Sequence, residues 1–308
     1  MRSDVFIQQE IAAGSRAHCH QGVWWQPSAT GVCRPLLPFQ AFAPKESRPR
    51  WRHSFIGYSH LVPPGIPATR RALYWVMEEP QLRAYGMDSV NYANRKAVAK
   101  ARRSGLVVRR IEDLDPWWSD LREIAMSMAE RTGYGLPPEY YATRFEEWKQ
   151  SFRREFSKPL REWWGVFSGD KLGAYMYSVH IDDTLHLLVT KVHSDFMPLR
   201  ASDFLYFTML EYARDLPGCR QVNTGRGLPA AGVDRFKEGH GFQPLEVGEY
   251  FSYNPGLQML LRPLLRFHRR AGASNVRPEP KVAGGGIPSF YRRAIQMAER
   301  IEGAGERP

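Results

Sequence analysis

Three apolar runs between residues 163 and 193, separated by two tight polar turns, constrain this chain more than any other stretch. Trp163, Trp164, Gly165, Val166 and Phe167 form the first. Ser168-Gly169-Asp170-Lys171 turns the chain into a second run over residues 172–180. Ile181-Asp182-Asp183 turns it again into a third over 184–193. Apolar runs joined by short Gly/Asp turns specify an antiparallel meander. The period then changes. Phe204, Leu205, Phe207, Leu210 and Tyr212 fit a helix that buries one side and is capped by Ser202 or Asp203. Residues 219–224 return to strand, and Gly225-Arg226-Gly227 breaks it. Residues 233–240 read as a short helix stopped by Gly241, and 242–253 as paired strands.

Upstream, Asp88 or Ser89 caps a helix reaching Ser104, with Arg95, Lys96, Lys100, Arg102 and Arg103 forming a basic patch. A strand follows over 106–111, Asp115-Pro116 opens a helix, and a further helix covers 138–156. Residues 24–64 are rich in aromatics and prolines, which suits short strands at sheet edges, and 73–77 reads as another strand. Residues 1–20 read as poorly ordered or locally helical. Past Asn254-Pro255-Gly256, Leu257, Leu260, Leu261, Leu264 and Leu265 alternate with Arg262, Arg266, Arg269 and Arg270. This segment, residues 257–270, is amphipathic and basic. It suits either packing on the domain or peripheral contact with an acidic membrane surface. A Pro/Gly-rich linker over 272–286 and a short helix over 289–302 complete the chain.

With 43% hydrophobic and 13% aromatic residues, the 308-residue chain has enough apolar surface for a folded core. No apolar run approaches the roughly 20 residues that span a bilayer. Residues 1–10 lack the pattern of a signal peptide. Three cysteines are too few for a disulfide framework, so a reducing cytoplasm is the simplest compartment. His18, Cys19 and His20 cluster without the spacing of a zinc site, and no metal is expected. The net charge of +11 favours an anionic partner: nucleic acid, a membrane surface or a phosphorylated ligand.

The element order of three strands, helix, strand, helix and strands is that of the acyl-CoA-binding half of the GNAT acyltransferases. Several segments resemble the FemAB-like or BioF2-like branch of that fold. They are Gly165-Val166-Phe167 with Leu172-Gly173-Ala174-Tyr175, and Ser202-Asp203-Phe204-Leu205-Tyr206. Asn223-Thr224-Gly225-Arg226-Gly227, followed by Phe236-Lys237 and Gly241-Phe242, resembles the branch's closing signature. The resemblance covers about residues 70–265. It implies an α+β fold: a mixed, mostly antiparallel sheet flanked by helices, with a reduced N-terminal segment packed on it. The implied boundaries are 1–95 for that segment, 96–255 for the acyltransferase domain, and 256–308 for the C-terminal part.

By the same resemblance, the activity is transfer of an acyl group from acyl-CoA, or an aminoacyl group from charged tRNA, to a primary amine. A lipid- or cell-wall-linked amine is among the acceptors the resemblance implies. Two middle strands would splay to admit the donor arm, opening toward Arg226 and Lys237. Asn223, Arg226 and Lys237 are the candidates at the reacting carbonyl. Thr190, Lys191, Arg200, Ala201, Ser202 and Asp203 are those for donor binding. Free N–H groups at the start of the helix near Ser202 suit a pyrophosphate. Met197-Pro198-Leu199-Arg200-Ala201 stands where ordinary GNAT enzymes carry a glycine-rich cradle, and Asp203 competes for the same N–H groups. His180, His186 and His193 are possible bases, with packing the alternative role for each. The rival function is a non-catalytic module of this shape that holds nucleic acid or another polyanion on its basic surface.

Overall fold

The computed structural model describes residues 2–257 and Met259, apart from 29, 30, 38, 45, 51–53, 133–135 and 227–230. The chain divides into two compact units, residues 1–258 and 259–308. The amphipathic stretch, linker and helix expected beyond residue 257 lie outside the described residues.

The strands of the first unit are β1 (His18–His20), β2 (Val23–Pro27), β3 (Val32–Pro35), β4 (Gly57–Val62), β5 (Arg70–Met77), β6 (Leu106–Arg110), β7 (Glu162–Ser168), β8 (Lys171–Ile181), β9 (Thr184–Val192), β10 (Gln221–Arg226) and β11 (Gln243–Tyr253). Its helices are α1 (Ser3–Ala12), α2 (Glu79–Arg83), α3 (Tyr92–Arg103), α4 (Trp118–Thr132), α5 (Pro138–Thr143), α6 (Phe145–Phe156), α7 (Ala201–Asp215) and α8 (Ala231–Gly239).

All eleven strands form one sheet, in the order β1-β2-β3-β4-β11-β5-β10-β9-β8-β7-β6. Among the described strands only β3–β4 and β9–β10 pair in parallel. The fold is therefore α+β, with a mixed, mostly antiparallel sheet and helices on both faces. The meander over β7, β8 and β9 is antiparallel throughout. The paired strands read over residues 242–253 are instead one strand. β11 pairs with β4 through Gly248–Tyr253 and with β5 through Gln243–Glu249. The N-terminal strands thus join the sheet edge to edge across the boundary drawn near residue 95.

Strand alternation sends successive side chains to opposite faces. On one face, Trp75, Met77, Val166, Met176 and Leu185 pack under α3 and α7. α7 is buried on most of its surface, at Phe204, Leu205, Tyr206, Phe207, Met209 and Leu210, which is why its apolar pattern is wider than a simple stripe. On the other face, Trp163, Phe167 and Tyr175 pack under Trp118 and Leu121 of α4, Tyr141 of α5 and Trp148 of α6. Phe6 of α1 covers Val179 and Ile181 on that same face. The helix read over 138–156 is broken at Arg144, where the backbone leaves helical geometry between α5 and α6. Asp115–Trp117 is a separate 3-10 turn ahead of α4.

Two caps differ from those read in the sequence. α3 is capped by Asn91, whose side chain accepts from the Asn94 N–H at 2.8 Å, and not by Asp88 or Ser89. α7 begins at Ala201 and is capped by Arg200, in the left-handed region at φ 66°, rather than by Ser202 or Asp203. The turn over Ser194–Phe196 delivers the chain into the helix earlier than the capping residues suggest. Among the described residues no helix is long and apolar enough to cross a membrane.

Candidate active site

β9 and β10 share only three register pairs: Gln221 with Thr184, Val222 with Leu185, and Asn223 with His186. Beyond these, each strand bulges. On β9 the pairing with β8 passes from Leu187 to Val189, which leaves Leu188 as the extra residue, 41% exposed. On β10 the pairing with β5 shifts between Asn223 and Arg226, and Gly225 sits there at φ 76°. A bulge bends its strand and sharpens the local twist. Two bulges just past the last shared pair drive the strands apart toward their C-terminal ends. Among the described residues, β9 has no strand neighbour on that side from Leu187 onward.

Asn223 Oδ1 accepts the Gly225 N–H at 2.7 Å and fixes the β10 bulge. A Cβ at Gly225 would meet no atom within 4 Å, so only the backbone opposes a side chain there. Gly225→Ala is expected to lower stability by about 1–2 kcal/mol, the cost of a left-handed non-glycine residue. Urea denaturation measures it.

Lys237 of α8 and Tyr206 of α7 approach the split from the helical face of α7. Lys237 is 5% exposed, and its Nζ donates to the Thr224 carbonyl at 3.4 Å. Among the described residues no carboxylate lies within 4.0 Å of that ammonium. Burial pushes the Lys237 ammonium down to about 8, against an opposing pull from Asp234. Asp234 in turn accepts from Trp75 Nε1 at 3.0 Å, which ties α8 to β5. The Tyr206 hydroxyl stands 3.5 Å from Thr190 Oγ1 of β9. Below them His240 is fully buried, with its Nδ1 3.1 Å from the Tyr85 hydroxyl and its Nε2 3.9 Å from Asp203. Burial pushes His240 down to about 3, so the ring is neutral at pH 7.

The remaining candidates separate by face. Asn223 points away from Lys237; its amide nitrogen is 3.3 Å from His186 Nδ1, and Phe39 stacks on the His186 ring at 5.7 Å. Burial pushes His186 down to about 4, which keeps it uncharged at pH 7. Arg226 shares that face and lies 3.2 Å from Glu249. Thr190 joins Tyr206, whereas Lys191, one residue on, points under α6 beside Trp148, Trp163 and Tyr175. At the start of α7, Ala201 is buried, Arg200 is exposed and Ser202 is half-buried. Asp203 is buried in the first turn, where burial raises its carboxyl and the Arg200 charge opposes that. Arg102 of α3 lies 5.7 Å from the Phe204 ring, which brings the basic face of α3 beside that first turn. His193 follows the C-terminal end of β9, its Nδ1 accepting the Asp195 N–H at 3.2 Å, and His180 of β8 pairs with Leu185. Sequence reasoning passed over Tyr206, Tyr74 and Glu249. Tyr206 lies inside a quoted segment, but nothing in its spacing separates it from its core neighbours.

No protein-family profile and no curated protein matches the chain. Solved structures do. FemX superposes with a TM-score of 0.54 at 11% identity, covering 83% of this chain and 92% of that one. The C-terminal domain of an Agrobacterium fabrum protein assigned as a lysylphosphatidylglycerol synthetase superposes with a TM-score of 0.50, also at 11% identity. It covers 83% of this chain and 89% of that one. Together with the strand order and the split between β9 and β10, these likenesses establish the architecture: the chain has a FemAB-like GNAT fold.

Proposed function

We propose that the chain transfers an acyl or aminoacyl group from an activated anionic donor to a primary amine. The observation that carries this reading is the divergence of β9 and β10 over a buried lysine with no carboxylate partner among the described residues. The unpaired edge of β9 offers backbone groups to an extended donor arm. The N–H groups of the first turn of α7, with Arg200 at the cap and Arg102 alongside, suit the donor's phosphates. The amine nitrogen attacks the donor carbonyl, the carbonyl oxygen becomes an anion, and collapse expels the thiolate or ribose oxygen. The amine proton passes to solvent. Lys237, as the ammonium, stabilises the oxyanion.

One neighbour's name describes a lysyl group joined to phosphatidylglycerol, which keeps an aminoacyl donor beside an acyl one. Calorimetric titration with acetyl-CoA, repeated with charged tRNA, tests the reading; binding of neither removes it.

A pH dependence follows. The protonated Lys237 is the active form, and its ammonium loses its proton near pH 8. The rate with a weakly basic acceptor such as hydroxylamine, already neutral at pH 7, should therefore fall as pH rises through about 8. A rate that climbs through the same range would assign Lys237 the role of base instead.

A further inference from the structure

On the face of the sheet opposite Lys237, the N-terminal segment closes a pocket of about 250 Å³ against β4, β5, β10 and β11. Two guanidiniums contact the Glu249 carboxylate of its wall, and a third, Arg34, lines the same pocket. Glu249 is buried and accepts from Arg70 at 2.7 and 3.0 Å, and Arg226 stands 3.2 Å away. Burial alone would raise the Glu249 carboxyl, but Arg70, Arg226 and Arg34 outweigh it and hold the group below its usual range. Glu249 is thus already neutralised by Arg70. Arg34, in the pocket wall, has no carboxylate within 4.0 Å among the described residues. The pocket carries surplus positive charge.

His60 borders the pocket along β4, but its ring shares the face of its cross-strand partner Tyr250 and packs on Phe42 at 4.1 Å and Tyr250 at 5.5 Å, away from Glu249. A second observation joins the pocket to the split. Phe39 is held at φ 64°, a conformation that costs a non-glycine residue about 1–2 kcal/mol. It sets its ring between Tyr74 at 4.6 Å and His186 at 5.7 Å, at the boundary between the pocket and Asn223.

We propose that this pocket holds the carboxylate of the amine acceptor, which is then a free amino acid rather than a neutral amine. The carboxylate would lie between Arg34 and Arg226. The small volume favours a ligand of amino-acid size over a peptide. Thr224, whose carbonyl receives Lys237, precedes Arg226 by two positions, no more than about 7 Å along a strand. The reacting amine therefore stands several bonds from the carboxylate. This assignment rests on the transferase reading, and it gives the N-terminal segment a role in acceptor choice.

The test is binding to the full chain without donor. Calorimetry with 6-aminohexanoate is compared with 6-aminohexanamide and with inorganic phosphate. The acid is expected to bind at least ten-fold more tightly than either. Arg34→Gln should weaken it ten-fold or more, and Arg34→Lys less, with the urea midpoint unchanged. Equal affinity for acid and amide, tighter binding of phosphate, no detectable binding, or indifference to Arg34→Gln would each overturn the assignment. Donor binding is read in a separate titration, so failure of the pocket leaves the transferase reading standing, and failure of donor binding does not disturb this measurement.

Discussion

Lys237→Met lowers kcat about 10²–10³-fold, the loss expected when a single donor to an oxyanion is removed. The fold survives this change. Methionine keeps the length of the side chain, and its removal of a buried ammonium relieves a desolvation cost, so the melting temperature stays level or rises. Among the described residues only the Thr224 carbonyl loses a partner. Acyl transfer assayed alongside thermal melting separates the two effects. A variant that keeps its rate within about three-fold would show that Lys237 serves packing alone, since one lost oxyanion donor costs far more. Arginine at this position would not restore the rate. The site is nearly closed to solvent, and the planar guanidinium needs more room than a point ammonium.

Gly57→Val is the second large effect, and it acts on stability. A Cβ at Gly57 would lie 2.3 Å from the backbone carbonyl of Ser252 and 3.0 Å from the Tyr253 Cα. These atoms belong to the partner strand, so no rotamer change relieves the contact, and β4 and β11 must move apart. The expected loss is about 3 kcal/mol, the upper end for overpacking. Gly86→Ala is the control. Its Cβ would meet only Arg214 Nη1, at 3.7 Å, and its effect should fall within about 0.5 kcal/mol. Urea midpoints of the two variants decide the matter. Because Glu249 sits on β11 within the pairing to Leu61, Gly57→Val should also weaken carboxylate binding in the Arg34 pocket.

The central meander was legible because its signals are local. Apolar runs and Gly/Asp turns mark β7, β8 and β9 with no knowledge of the rest of the chain. β11 was harder. Gln243, Pro244, Leu245 and Glu246 are all exposed, so no alternation marks a strand paired on both edges. The N-terminal strands carry prolines, and nothing local says that they join the main sheet. The cap of α7 breaks the propensity rules outright, since arginine in the left-handed region is set by the preceding turn.

The site follows the same division. Gly225 hinted at a break in β10, but the matching bulge at Leu188 leaves no mark in composition. Lys237 came from resemblance; its burial depends on α7 and β10 arriving from elsewhere. Arg34, Arg226 and Glu249 lie up to about 200 positions apart in the sequence, and only the order of the strands brings them together.

That order has a consequence for how the protein is made. β11 is the last of the described strands to leave the ribosome, yet it occupies the middle of the sheet. Until residue 253 has emerged, β4 and β5 both present open edges that await the same partner. A nascent chain is therefore two unfinished half-sheets, vulnerable to pairing with neighbours during translation. The segment that closes this gap also brings Glu249, so assembly of the Arg34 pocket coincides with closure of the sheet.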